Sequence, residues 1–144
     1  MAELSSMSAL DDDRKREAAR WRAVALEDRI VAEMCAEKVP PSIGIAAYHC
    51  QQSVEKIVKG MLIVAGIHFP KTHDLRALAG LAEAQFPAWR DLFNRAIPLT
   101  GWGHAYRYPG LEDDPPPDAT EISSALDTIT QLAARLHDLI DPVG

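Results

Sequence analysis

SIGIAAYHCQQSVEKIVKGMLIVAG, residues 42–66, sets Ala47, Cys50, Val54, Ile57, Val58, Met61, Leu62 and Ala65 at three- and four-residue steps. That spacing draws one apolar stripe along a helix. Ser42 is placed to cap its start, and Gly66 stands where a C-cap glycine ends it. On a wheel of about 100° per residue, Tyr48, His49, Gln52, Lys56 and Lys59 share the polar side. Gln51 instead falls within the stripe, with Glu55 at its edge, so its amide needs a buried partner or a second interface.

Working outward, Pro40 and Pro41 end an upstream helix expected to run from about Asp12 to Glu37, with Ala19, Ala23, Leu26, Ile30 and Met34 along one stripe. Residues 1–11 are expected to form a disordered tail ahead of a single helical domain over residues 12–144. Downstream, Thr72 or His73 is expected to cap a shorter helix with Leu75, Leu78 and Leu81 inward. A second short piece covers Ala88–Ala96, ended by Pro98, and a further helical stretch from about Leu99 leads to Tyr108 before Pro109 and Gly110. LEDDPPPD, residues 111–118, reads as an exposed loop, and Asp118 with Glu121 forms a capping box for the last helix. That helix carries Ile122, Leu126, Ile129, Leu132, Ala133, Leu136 and Ile140 on one face. With hardly any strand pattern, the expectation is an all-α, antiparallel up-and-down bundle of about five helices.

The chain has 144 residues, 47% hydrophobic and 25% charged, with a formal charge of −6, a composition that fits one globular domain. No apolar run approaches the roughly 18 residues of a membrane span, so no membrane association is expected. Cys35 and Cys50 sit inside helical patterns and the first ten residues hold no signal-peptide core, which points to a reducing cytoplasm. The charge changes sign along the chain. Residues 1–39 hold seven basic and nine acidic side chains, residues 40–110 seven and four, and residues 111–144 one and eight. The acidic total argues against a general duplex-DNA binder, while the basic middle third suits a small anion or a short RNA. A solvated charge pattern is the plainer alternative.

Two groups of residues have the chemistry for a site. Lys56 and Lys59 beside Gln52 and Tyr48 offer ammonium groups to phosphate or to a partner's carboxylates. GWGHAYRYPG, residues 101–110, puts His104 and Arg107 three apart and Trp102 and Tyr106 four apart; aromatic rings with an arginine suit base stacking and phosphate contact. Core anchoring by the same aromatics is the alternative. His68 and His73 flank a proline-containing loop without CxxC, HExxH or ligand-spaced carboxylates, so no metal and no cofactor are expected. GxSxG, GxGxxG and GxxxxGKS/T are absent from the sequence.

AYHCQQSVEKIVKGML (residues 47–62), KTHDLRAL (residues 71–78) and YRYPG (residues 106–110) together resemble the HEPN domain, the nucleotide-binding domain of higher eukaryotes and prokaryotes. The resemblance extends from Asp28 to the last helix. In it, Gln51, Gln52, Glu55, Lys56 and Lys59 match the second-helix motif, His73, Asp74 and Leu75 the start of the third helix, and Tyr106 to Gly110 an RYPG-like end of the fourth helical segment. It implies an antiparallel helical bundle, commonly a homodimer, often encoded beside a minimal nucleotidyltransferase as a toxin–antitoxin-like pair. The expected ligand is a nucleotide or RNA, met by Tyr48, Gln52, Lys56, Lys59, Tyr106 and Arg107. Family ribonucleases place a histidine four to six residues after an arginine. Here Arg95 precedes His104 by nine positions, so catalysis by His104 and Arg107 would run in reversed order. A metal-independent endoribonuclease with a composite site at a dimer cleft, and a purely structural interaction module, are the other readings.

Overall fold

The computed structural model describes residues 2–102 and 117–142, with side chains from residue 6 onward. The described residues are mostly helical and contain no strand. Their α-helices are α1 (Ala2–Glu37), α2 (Ile43–Ala65), α3 (Leu75–Gln85), α4 (Arg90–Ala96) and α5 (Ala119–Ile140). Short 3₁₀ segments at Pro87–Trp89 and Ile97–Gly101 flank α4. The all-α expectation is met. Pro98 does not break the chain's helical course; it sits in the first turn of the second 3₁₀ segment, where a missing N–H is tolerated.

Helix α2 follows its sequence pattern closely. Of the stripe, Ala47, Cys50, Val54, Ile57, Val58, Met61 and Leu62 are buried. Gly66 ends the helix at φ 72°, and its N–H returns to the Ile63 carbonyl. A glycine meets that left-handed conformation without a Cβ penalty. The α3 cap differs from expectation. Asp74, not Thr72 or His73, is the N-cap: its carboxylate accepts from the Arg76 N–H, while the Thr72 hydroxyl accepts from the Asp74 N–H. Aspartate brings the stronger acceptor to the positive end of the helix.

Helix α1 departs from its pattern in two ways. It begins at Ala2, earlier than the expected start at Asp12, because residues 2–11 contain neither proline nor glycine and are rich in helix formers. It also turns a different face inward. Ala18, Ala25, Asp28 and Ala32 are buried, whereas Ile30 and Met34 are 57% and 65% exposed and Ala19 and Ala23 lie outside. The physical reason is backbone proximity. A Cβ on Gly60 of α2 would stand 3.6 Å from the Ala18 carbonyl oxygen, and the Ser53 hydroxyl donates to the Ala25 carbonyl at 2.7 Å. The same antiparallel register, continued by seven residues on each helix, sets Ala32 level with Ala46. Small residues on both sides let α1 and α2 pack closely, which bulky Ile30 and Met34 would prevent.

Helix α5 closes the bundle. Its capping box is formed, with the Asp118 carboxylate accepting from the Glu121 N–H at 2.7 Å and the Glu121 carboxylate accepting from the Asp118 N–H. Ile129, Leu132, Ala133 and Leu136 are buried against a core that includes Met61, Leu62, Leu75, Leu78 and Phe93, and Ile122 is buried in a second, smaller cluster with Ala46 and Ala47. Two arginines of α1 reach across to α5. Arg22 Nε donates to the Ala133 carbonyl at 2.9 Å and Arg29 Nε to the Leu126 carbonyl at 3.3 Å. No described helix is long and apolar enough to cross a membrane.

Candidate functional site

The polar side of α2 meets its neighbours around two carboxylates. The first is Asp28 of α1, buried at the α1–α2 contact. His49 Nδ1 lies 2.9 Å from its Oδ1, and Lys56 Nζ donates to its Oδ2. Since a carboxylate only accepts, Nδ1 carries the proton of that bond, and in the neutral ring Nε2 keeps its lone pair. Tyr48 meets the His49 ring edge-on, with centroids 5.2 Å apart.

The second carboxylate is Glu55, only 2% exposed although its spacing puts it at the edge of the stripe. Lys59 Nζ lies 2.9 Å from its Oε1, His73 Nδ1 2.7 Å from the same oxygen, and Gln51 Nε2 donates to Oε2 at 3.3 Å. Gln51 also donates to the His73 carbonyl at 3.3 Å and accepts from Gln52 Nε2 at 2.9 Å. Its amide is therefore a satisfied core group, which settles the choice between core and interface. Together, Gln51 and Glu55 tie the loop before α3 onto α2 at His73, whose imidazole projects outward with 82% of its side chain exposed.

The expected pair of neighbouring phosphate-facing ammonium groups is thus two separate ion pairs, Lys56 with Asp28 and Lys59 with Glu55. Each ammonium has three donors, so each retains hydrogen-bonding capacity, but its charge is already matched. Reading α2 alone missed Asp28. Its signal was present: an acid three residues after Ala25, on the face that Ala18, Ala25 and Ala32 mark at seven-residue steps. Also missed was Trp21 of α1, whose ring lies 5.8 Å from Lys59 Nζ.

Burial pushes the Cys50 thiol up to about 12, against the opposing pull of the Arg29 charge, so at neutral pH it is a protonated packing group and not a nucleophile. Among the described residues, no group of three histidine, cysteine or acidic side chains is arranged to hold a metal. His104, Tyr106 and Arg107 lie outside the described residues.

Searches of curated proteins and of solved structures each found no match to this chain. The family model described as HEPN domain matches residues 18–138, a span that takes in both carboxylate clusters, the α3 cap and nearly all of α5. Among the residues that carried the resemblance, Gln51, Gln52, Glu55, Lys59 and His73 form one hydrogen-bonded network, and the chain belongs to the HEPN domain family.

Proposed function

We propose that this protein is a nucleotide- or RNA-binding module that forms a homodimer in the cytoplasm and works with a minimal nucleotidyltransferase as a toxin–antitoxin-like pair. The observation that supports this reading is the family match over residues 18–138. The polar side of α2, with Tyr48, Gln52, Lys56 and Lys59, is the described part of the ligand surface. His104, Tyr106 and Arg107 complete it in this reading. Binding rather than catalysis is favoured because the arginine–histidine order is reversed relative to the family's ribonucleases, and general acid–base cleavage needs both groups within hydrogen-bond reach of one phosphate.

The test uses the purified full-length chain. Equilibrium dialysis against labelled nucleotides and short RNAs should show binding that weakens with salt, since exposed charges are screened over about 8 Å at physiological ionic strength. Absence of binding at low salt would overturn the reading in favour of a purely structural helical module. Metal-independent RNA cleavage that persists with a chelator and disappears in His104→Ala would overturn it in favour of an endoribonuclease. Co-purification with the product of an adjacent nucleotidyltransferase gene tests the pairing, and light scattering at micromolar concentration tests the dimer.

A further inference from the structure

Trp21 is a large aromatic residue with no place in the core. It belongs to neither buried hydrophobic cluster, whereas Trp89 and Trp102 both pack against the core. Its half-buried ring instead lines a shallow groove of about 230 Å³ between α1 and α2, together with Arg20, Val24 and Lys56. The surface of this groove is almost wholly apolar, made by Trp21 and Val24 with the hydrocarbon stems of Arg20 and Lys56. A tryptophan held half out of the core forgoes much of the burial its ring would gain inside, so its position calls for a contact from outside.

The surrounding charge narrows what that contact is. Three cations border Trp21: Arg20, Lys56 and Lys59. Two are matched, by Asp28 and Glu55, while Arg20 makes no hydrogen bond or ion pair among the described residues. The groove therefore has one unmatched guanidinium, which presents a planar fork suited to phosphate oxygens. Lys59, poised over the ring, adds a cation–π contact that fixes the indole's orientation. The volume is below the roughly 300–1,000 Å³ of sites that enclose a drug-sized molecule, and suits one flat ring laid against the indole.

We infer that the α1–α2 groove at Trp21 binds a nucleobase with its adjoining phosphate, the base stacking on Trp21 and Val24 and the phosphate meeting the unmatched Arg20. This rests on the nucleotide-binding reading above and gives it a site on α1 that the second-helix motif does not contain. Stacking of one base on an aromatic side chain is tolerant of sequence, so the ligand is either a free nucleotide or an unpaired base of an RNA strand.

The experiment titrates the full-length protein with adenosine 5′-monophosphate and, separately, with a six-residue oligoadenylate. Tryptophan fluorescence and equilibrium dialysis are read in parallel. The expected result is quenching on saturation with at least one probe, lost in Trp21→Leu, and an affinity about tenfold weaker in Arg20→Ala, as for loss of one charge-assisted phosphate contact. Circular dichroism of both variants stays unchanged because neither residue belongs to the core. Quenching by the mononucleotide identifies a free nucleotide as sufficient ligand; quenching by the oligomer alone identifies an RNA strand. Dialysis that shows full binding in Trp21→Leu overturns this site while leaving the nucleotide-binding reading intact. No binding of either probe to the parent overturns both. Emission that shifts to the blue with protein concentration and ignores both probes overturns the site in favour of a groove closed by a second copy.

Discussion

Replacing Glu55 by leucine tests whether the buried network on α2 is a stabilising ion-pair cluster or merely a tolerated one. The carboxylate is 2% exposed and Lys59 12% exposed, so losing the acid strands an ammonium group with little water around it. It also removes the acceptor of bonds from Lys59 at 2.9 Å and His73 at 2.7 Å. Breaking a fully buried pair costs about 3–5 kcal/mol, and the lysine stem recovers part of that by carrying its head outward, so Glu55→Leu is expected to cost about 3 kcal/mol. Lys59→Met leaves the carboxylate with its imidazole and amide donors and should cost about 2 kcal/mol. The double variant replaces both charges with apolar volume, and Gln51 still reaches the His73 carbonyl, so it should cost about 2 kcal/mol rather than the sum of the singles. Urea unfolding reads these values directly. With a slope of about 2 kcal/mol per molar, the Glu55→Leu midpoint falls by about 1.5 M. Additive single and double variants, or a Glu55→Leu shift within error of zero, would refute the assignment of a coupled buried pair.

Gly66→Ala should destabilise by about 1 kcal/mol or more in the same assay, because a Cβ at φ 72° is strained and would stand 2.9 Å from the Arg14 guanidinium carbon. Asp118→Ala, which removes the α5 capping box, should cost about 1 kcal/mol, seen as a lower urea midpoint with unchanged slope. The Cys50 thiol titrates at about 12 in the folded chain against 9.0 unfolded, so its contribution to stability is whole below pH 9 and is lost as pH rises from 9 toward 12. Unfolding midpoints between pH 8 and 11 should therefore fall at no more than about 1.4 kcal/mol per pH unit from this group, and Cys50→Ala should flatten the decline. In a thiol-labelling time course on the native protein, half-buried Cys35 reacts first and Cys50 only when the chain unfolds.

The helices that read cleanly were those whose buried face is also their most apolar face. In α2 and α5 the stripes from Cys50 to Leu62 and from Ile122 to Leu136 contrast with charged flanks, and the inward direction follows from size and polarity together. Helix α1 inverts that relation. Its inward face is made of alanines and an aspartate, and its larger side chains Val24, Ile30, Val31 and Met34 point away. Within α1 the one sign of this is the seven-residue step of Ala18, Ala25 and Ala32. The reason lies on its partner, in Gly60 and Ser53, whose small size matters only once the two helices are opposed. The candidate site was legible to the same extent. Tyr48, His49, Gln52, Lys56 and Lys59 do share a side of α2, but the partners that neutralise the lysines come from different elements of the fold. Asp28 stands on α1, and Glu55 belongs to α2's own stripe, where it reads as an error of pattern until His73 and Lys59 are seen to meet it.

On α5 the two arginines of α1 hold carbonyl oxygens and not side chains. Such a contact is indifferent to which residues occupy positions 126 and 133, because every residue of a helix supplies a carbonyl. Both donors and both acceptors are spaced by seven residues, two turns of each helix. Point substitutions at Leu126 or Ala133 leave the acceptors in place. Deleting a single residue between them would bring the next residue's carbonyl to the same guanidinium, but would rotate the side chains beyond the deletion by about 100° and carry Ala133 and Leu136 off the core. The arginine contacts therefore survive both point substitution and a change of length in α5, and it is the buried face of Ile129, Leu132 and Leu136 that fixes how the helix is turned.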